Sequence, residues 1–237
     1  MKILLAACNA KYIHSNLAVY DLRAYASAYQ EHILLGEYTI NQTKDEILKD
    51  IYLSGADVVC FSCYIWNISF VRDLLEDLHK ILPDVKFWTG GPEVSFDAEA
   101  FLRRTPQVTG VMVGEGEKTF LELVRYYVDG VGTLSEIPGI AYREGEEIHH
   151  NGWRELTDLS EIPFVYEHLE DFGSRLFIMR AAGDVLFPAV TVFLLLIRSS
   201  GSVILTWSRK NYSFSWITGC RRSSLWTVRL TVSTSTQ

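Results

Sequence analysis

From Met1 to Gly130, short apolar runs alternate with amphipathic ones, and few folds accept that alternation. Strand-like runs stand at Lys2–Ala7, His32–Ile40, Asp57–Ser62, Val85–Thr89 and Val108–Val113. Runs with apolar residues at helical spacing stand between and after them, at Leu17–Tyr29, Thr43–Leu53, Asn67–Leu82, Phe96–Arg104 and Glu117–Tyr127. Thr43 followed by Glu46 has the pattern of a capping box, and Pro83 stops the third helix. Asp57–Ser62 is apolar on both faces, as a central parallel strand must be. Repeated β-α units with right-handed crossovers give an α/β fold, a five-stranded parallel doubly wound sheet (Rossmann-like, flavodoxin-type order). The strand order 2-1-3-4-5 places the topological switch point between strands one and three.

The pattern changes after residue 132. Ile137–Tyr142 and Glu147–His150 flank Glu144-Gly145, a hairpin signal, so a small β-hairpin is expected beside the sheet. Leu156–Pro163 reads as a polar linker, and Tyr166–Phe172 as one or two helical turns. Charge marks a second break. Residues 1–175 hold 28 acidic and 15 basic residues, whereas from Leu176 onward Asp184 is the single acidic residue against seven basic ones. The expected division is therefore 1–132, a ligand-binding domain; 133–175, hairpin and linker; and 176–237, an atypical tail. Ser/Thr-rich, Trp-rich sequence without clear period cannot offset chain entropy, so the tail is expected to be poorly ordered or a loosely packed helix.

Composition removes several classes. A net charge of −7 argues against non-specific nucleic-acid binding. Met1–Ala7 is too short for a signal peptide and Val185–Ile197 too short to cross a bilayer, so the compartment expected is cytoplasmic with no membrane partner. Cys8 and Cys60 fall in buried strands, where a thiol behaves as a small apolar group. Cys60-Phe-Ser-Cys63 sits at a strand end rather than a helix start and is read as structural; no Cys/His pairs stand at zinc spacing.

Four loops follow strands one, three, four and five, and a parallel sheet brings them all to one edge: Asn9–Ser15, Ser62–Asn67, Thr89–Glu93 and Val113–Glu117. A dinucleotide needs a glycine-rich turn after strand one, which here holds Asn9, Lys11, Tyr12, His14 and Ser15. A phospho-acceptor receiver needs an Asp at the end of strand three, where Ser62-Cys63 stand; a P-loop is absent. A large planar ligand fits better. Gly90-Gly91, Gly114 and Gly116 leave room, Ser62, Thr89 and backbone N–H groups offer hydrogen bonds, and Tyr12, Tyr64 and Trp66 offer flat apolar surface. Taken singly, each has a plainer reading: an ordinary turn for the glycines, core packing for the aromatics, a structural His14, and helix-start carboxylates for Glu115 and Glu117.

These segments together resemble the amino-terminal cobalamin (vitamin B12)-binding domain of cobalamin-dependent radical SAM enzymes. The likeness rests on Asn9–Ala18, Phe61–Asn67, Thr89–Ser95, Val113–Glu117 and the linker Leu159–Pro163, over roughly residues 1–175. It implies that cobalamin lies across the carboxyl edge, with its nucleotide tail in a slot of the sheet. Asn9, Lys11, Tyr12, His14, Ser15, Ser62, Tyr64, Trp66, Asn67, Thr89, Gly90, Gly91, Pro92, Glu93, Val113, Gly114, Glu115 and Gly116 would line the site. The D-x-H-x-x-G pattern that supplies a cobalt ligand elsewhere is missing, which implies base-off cobalamin without His14 on cobalt. The slot is expected at the Gly90-Gly91 turn, so that Gly91→Leu would abolish binding and leave the thermal transition nearly unchanged. A non-catalytic small-molecule sensor or partner-binding module of the same fold is the alternative.

The resemblance further implies a second half with a C-x-x-x-C-x-x-C loop for a [4Fe–4S] cluster and S-adenosylmethionine, beginning near residue 176. The chain has only Cys220 there, so the intact parent's chemistry, methyl transfer or a related radical reaction, is not expected of this sequence. Read one base out of phase, permitted codons for Phe177–Val192 can spell cysteines at the junctions 184/185, 188/189 and 191/192, the spacing the family requires. A frameshift near residue 176 would explain the tail; a divergent extension is the alternative.

Overall fold

The computed structural model describes residues 1–10, 16–157, 161–163, 176–181, 191–197 and 203–206. The chain divides into two compact units, Met1–Glu167 and His168–Gln237.

In the first unit the strands are β1 (Ile3–Asn9), β2 (Ile33–Thr39), β3 (Val58–Ser62), β4 (Lys86–Gly90), β5 (Gly110–Met112), β6 (Ile140–Glu144) and β7 (Glu147–His150). The helices are α1 (Leu17–Tyr25), α2 (Lys44–Ser54), α3 (Ile68–Ile81), α4 (Pro92–Ser95), α5 (Ala98–Arg104) and α6 (Glu117–Asp129). The sheet order is β2-β1-β3-β4-β5-β6-β7. The first five strands run parallel, and β6 and β7 join antiparallel.

This corrects the expectation of a five-stranded sheet with a separate hairpin. The hairpin is part of one seven-stranded sheet: Gly110, Val111 and Met112 of β5 pair with Tyr142, Ala141 and Ile140. The physical reason is edge protection. β5 would otherwise expose unpaired backbone groups, and a hairpin whose first residues are buried caps it.

Helices cover both faces. α2, α3 and α5 bury Ile47, Ile51, Val71, Leu74, Leu75, Leu78, Phe101 and Leu102 against one face, with Val59, Phe61, Phe87 and Val111. α1 and α6 bury Val19, Phe120, Leu123 and Val124 against the other, with Leu5, Cys60, Trp88 and Met112. Alternate residues of each strand thus serve opposite layers, and the central strands β1 and β3 are buried throughout.

Several local expectations shift. The first helix ends at Tyr25 and a 3-10 segment, Ser27–His32, leads into β2. The helix expected over Phe96–Arg104 is α5, Ala98–Arg104, and a separate short helix, α4, precedes it with Pro92 at its start. Thr43 caps α2 in extended conformation but makes no side-chain cap hydrogen bond, so the Thr43–Glu46 box does not form. A capping box does form at Thr133 and Glu136.

In the second unit, β8 (Leu176–Ala181), β9 (Thr191–Ile197) and β10 (Val203–Thr206) form a three-stranded antiparallel sheet, ordered β10-β9-β8. The described stretches are strands, where a poorly ordered tail or a loosely packed helix is expected from the sequence. Thr191–Ile197, rich in Val, Phe, Leu and Ile, suits an extended chain without any helical period. Tyr166–Phe172 lies outside the described residues.

Candidate functional site at the strand carboxyl ends

Four strands end at the rim, with two kinds of chemistry between them. β1 and β3 end in a buried polar network. The Asn67 side chain, only 1% exposed, donates from Nδ2 to the Cys8 carbonyl at 3.0 Å and the Ser62 carbonyl at 2.9 Å. Its Oδ1 accepts the Tyr64 N–H at 2.7 Å. Asn67 thus fastens two strand ends and a loop with all its hydrogen-bonding groups turned inward; it holds the rim together.

Beside it, Asn16 stands at the start of α1. Its Nδ2 donates to Ser62 Oγ at 3.2 Å and Asn9 Oδ1 at 3.4 Å. Glu37, on β2, accepts from Asn9 Nδ2 at 3.3 Å, the Asn16 N–H at 2.9 Å and the Tyr20 hydroxyl at 2.5 Å. Tyr64 and Trp66 stack with centroids 4.5 Å apart and planes 6° off parallel, and half of Trp66 faces solvent. That is a flat apolar surface of the kind a large ring system packs on.

At β4 and β5 the rim is built of backbone. The Ser95 hydroxyl, 5% exposed, donates to the Gly91 carbonyl at 2.8 Å and accepts the Gly114 N–H at 3.3 Å. One hydroxyl therefore sets the spacing of the two glycine loops. Thr89 is fully buried, and its Oγ1 has no hydrogen-bond partner among the described residues.

The glycines are not equivalent. Gly91 has φ +109°, and a Cβ there would overlap the Cys63 carbonyl oxygen and stand 3.2 Å from the Cys63 nitrogen. The Cys63 N–H in turn bonds the Gly90 carbonyl at 2.7 Å. Gly91 is thus required by the fold, which corrects the expectation that Gly91→Leu would leave the thermal transition nearly unchanged. Gly90 differs: its φ is ordinary, and the atoms nearest a Cβ would be those of Met112, from 3.4 Å. Gly90 is thus not required by its backbone angle, but it is packed against Met112. A Cβ at Gly114 would press on the Trp153 indole at 3.2 Å, and one at Gly116 on Leu22 at 3.0 Å.

The remaining expected positions divide. Asn9 is in the network. Pro92 and Glu93 form the exposed first turn of α4. Val113 is fully buried and donates its N–H to the Gly139 carbonyl at 2.8 Å, so it belongs to the core. Glu115 accepts the Thr157 N–H at 2.6 Å, anchoring the segment beyond the hairpin. Lys11, Tyr12, His14 and Ser15 lie outside the described residues.

Sequence reasoning missed Asn16, Glu37 and Ser95. Glu37 did leave a signal: it is a carboxylate inside the apolar run Ile33–Thr39. Ser95 left none, since its role is a contact between two loops distant in sequence.

Burial pushes the thiols of Cys8 and Cys60 up from 9.0 to about 12, and Cys63 further still. They are protonated, unreactive core groups, and among the described residues no cluster of three His, Cys, Asp or Glu side chains could hold a metal ion. No helix among the described residues is long and apolar enough to cross a membrane.

An open, doubly wound sheet with polar and glycine loops gathered at its carboxyl edge defines a small-molecule-binding α/β domain. The chain belongs to the B12 binding domain family, whose model matches residues 3–124. It is 31% identical over 91 residues to the cobalamin-dependent radical SAM methyltransferase TokK of Streptomyces tokunonensis, a match covering 38% of this chain and 13% of that protein. It is 32% identical over 95 residues to 2-(S-pantetheinyl)-carbapenam-3-carboxylate methyltransferase of Streptantibioticus cattleyicolor, covering 40% of this chain and 14% of the relative. The matched region is thus about a seventh of either curated relative. Among solved structures, the cobalamin-dependent S-adenosylmethionine radical enzyme OxsB with aqua-cobalamin bound superposes with a TM-score of 0.56 at 19% identity, covering 72% of this chain and 25% of OxsB. That likeness shows a common fold.

Proposed function

We infer that the first unit binds cobalamin at the strand carboxyl edge, and that its parent protein is a cobalamin-dependent radical SAM enzyme of the methyltransferase kind. The observation that carries the reading is the convergence, in a member of the B12 binding domain family, of a stacked, partly exposed aromatic pair and the glycine loops on one rim. The residues present fit such a ligand. Tyr64 and Trp66 offer a surface for the ring. Gly90 would accept a Cβ only in contact with Met112, and the buried oxygens of Asn16 and Thr89 lack partners among the described residues. Cobalamin would supply a cobalt centre able to carry a methyl group; the protein would hold it base-off, with no side chain on cobalt.

The [4Fe–4S] cluster and S-adenosylmethionine would belong to a radical SAM domain of the parent. The bounds 1–132, 133–175 and 176–237, and a frameshift near residue 176, remain part of this proposal. Sequencing the gene tests the frameshift: the reading requires a C-x-x-x-C-x-x-C loop in another frame.

Titration of the chain with hydroxocobalamin, followed by ultraviolet-visible spectra and gel filtration, tests the binding. The expected result is a retained corrinoid with a base-off spectrum, unchanged by His14→Ala. A chain that elutes colourless contradicts the reading and favours a sensor or partner-binding module.

A further inference from the structure

Beyond the hairpin the chain folds back over α6. From Gly152 to Thr157 it forms neither helix nor strand, yet it is fastened along the start of that helix and the loop before it. The Gly152 carbonyl accepts the Gly139 N–H at 3.1 Å. The Trp153 indole covers Gly114, where a Cβ would stand 3.2 Å from it. Arg154 donates from Nε to Thr119 Oγ1 at 3.1 Å and from Nη2 to the Pro138 carbonyl at 3.2 Å, and it pairs with Glu122. Thr157, 6% exposed, donates its N–H to Glu115 Oε2 at 2.6 Å. Farther along, Glu161 meets Lys118 Nζ at 2.9 Å. Gly152–Thr157 is thus a strap laid over the residues from Gly114 to Glu122.

What holds the strap is mostly polar. Trp153 and Leu156 are exposed, so apolar burial contributes little. A stretch with few buried apolar contacts opens locally at low cost unless side chains fasten it. Arg154 fastens it to α6 and to Pro138, away from the rim. Glu115 fastens it to the rim itself, from between Gly114 and Gly116. A backbone N–H on a carboxylate is the stronger, charge-assisted kind of hydrogen bond. The same loop is bounded by Ser95 Oγ, which accepts the Gly114 N–H, and by Leu22, which faces Gly116. A loop held by the strap has fewer conformations, and ordering either one lowers the cost of ordering the other.

We propose that Glu115 is a positioning residue of the corrinoid site: through the Thr157 N–H it locks the strap Gly152–Thr157 onto the Val113–Glu117 loop, so that ligand on the rim and strap on the loop hold each other in place. Glu115 touches the strap and not the ligand. The inference rests on the corrinoid reading above. It adds a coupling, reciprocal by linkage, between the rim and the stretch by which the chain leaves the sheet.

The test uses the full chain and three variants. Glu115→Ala removes the acceptor, Glu115→Gln keeps an oxygen acceptor, and Arg154→Met keeps the apolar stem and loosens the strap at its other fastening. Hydrogen exchange by mass spectrometry reads the strap, and exchange against free cobalamin reads corrinoid release. Hydroxocobalamin should slow strap exchange in wild type. Glu115→Ala should erase that slowing and release corrinoid about tenfold faster, a typical effect for one hydrogen bond. Glu115→Gln should stay within about twofold of wild type, since the bond is kept. Arg154→Met, remote from the rim, should also speed release. An Arg154→Met protein with wild-type release would mean that Glu115 acts on the ligand directly, and would overturn the proposal. So would strap exchange indifferent to ligand in wild type, Glu115→Gln releasing as fast as Glu115→Ala, or Glu115→Ala that melts lower but releases as wild type does. In each of these failures wild type still binds corrinoid. A wild-type chain that retains none overturns the cobalamin reading itself, and the proposal with it.

Discussion

The two ends of the rim solve the same problem with different materials. At β1 and β3 the strand ends are held by side chains: Asn9, Asn16, Ser62 and Asn67 bond to one another, to Glu37 and to backbone carbonyls. At β4 and β5 the loops are held by close backbone approach at Gly91 and by one small hydroxyl, Ser95. The polar end can read a ligand's hydrogen-bonding groups. The glycine end packs its loops closely against Met112, Cys63, Trp153 and Leu22. The comparison also separates glycines that a motif alone makes look alike: Gly91 is held by its backbone angle and the Cys63 carbonyl, whereas Gly90 only packs against Met112.

The largest expected effect breaks the glycine end. Gly91→Leu must leave a backbone angle of φ +109° and displace the Cys63 carbonyl. It should cost about 3 kcal/mol or more, read as a lower denaturant midpoint in urea unfolding. A Gly91→Leu protein as stable as wild type would show that the turn relaxes and that the distinction between the two glycines is false.

The polar end comes next. Asn67→Ala strands the Cys8 and Ser62 carbonyls and the Tyr64 N–H in a buried place. The expected loss is about 2–3 kcal/mol by the same measurement. A loss under about 0.5 kcal/mol would mean that water replaces the amide and that the network is not what holds β1 and β3 together.

A smaller effect sharpens the comparison. Ser95→Ala removes one hydroxyl between the Gly91 and Gly114 loops and should cost about 1 kcal/mol. Its clearer signature is faster release of corrinoid, by a few fold, in a stopped-flow exchange. Unchanged release would mean that loop spacing does not matter to the ligand.

How much of this was legible in the sequence follows from which interactions are local. The periodicities of Leu5-bearing β1, of α3 with Val71, Leu74, Leu75 and Leu78, and of α6 reported their own burial, so strands and helices stood out. The order of the five parallel strands followed from handedness. What could not be read was partnership across distance. The hairpin's pairing with β5 depends on which edge is left open, and Ser95's role depends on Gly114, 19 residues away. Gly90 and Gly91 differ only in what faces them in space, which neighbouring letters do not record. Thr43–Glu46 shows the converse: a good local pattern whose side-chain bond the folded helix does not use.

The smallest expected effect is an absence of reaction. Cys8 and Cys60 have folded-state values raised from 9.0 to about 12 by burial, so both stay protonated. Iodoacetamide at pH 8 should leave them unmodified by mass spectrometry until the protein is unfolded. The same shift fixes a sign. Above pH 9 the unfolded chain releases thiol protons that the folded chain keeps, so stability falls as pH rises from 9.0 towards about 12. Rapid native alkylation would mean that the strand ends open readily.

The most direct test of the central claim, that cobalamin enters beside Gly90 on this rim, is corrinoid retention by Gly90→Val beside its thermal melt. The nearest atoms to a Cβ at Gly90 are those of Met112, at 3.4–3.6 Å, so the added side chain presses on Met112 and the variant should melt somewhat below wild type while remaining folded. Yet it should elute from gel filtration without the cobalamin that wild type carries. A Gly90→Val protein that retains cobalamin as wild type does would contradict the account.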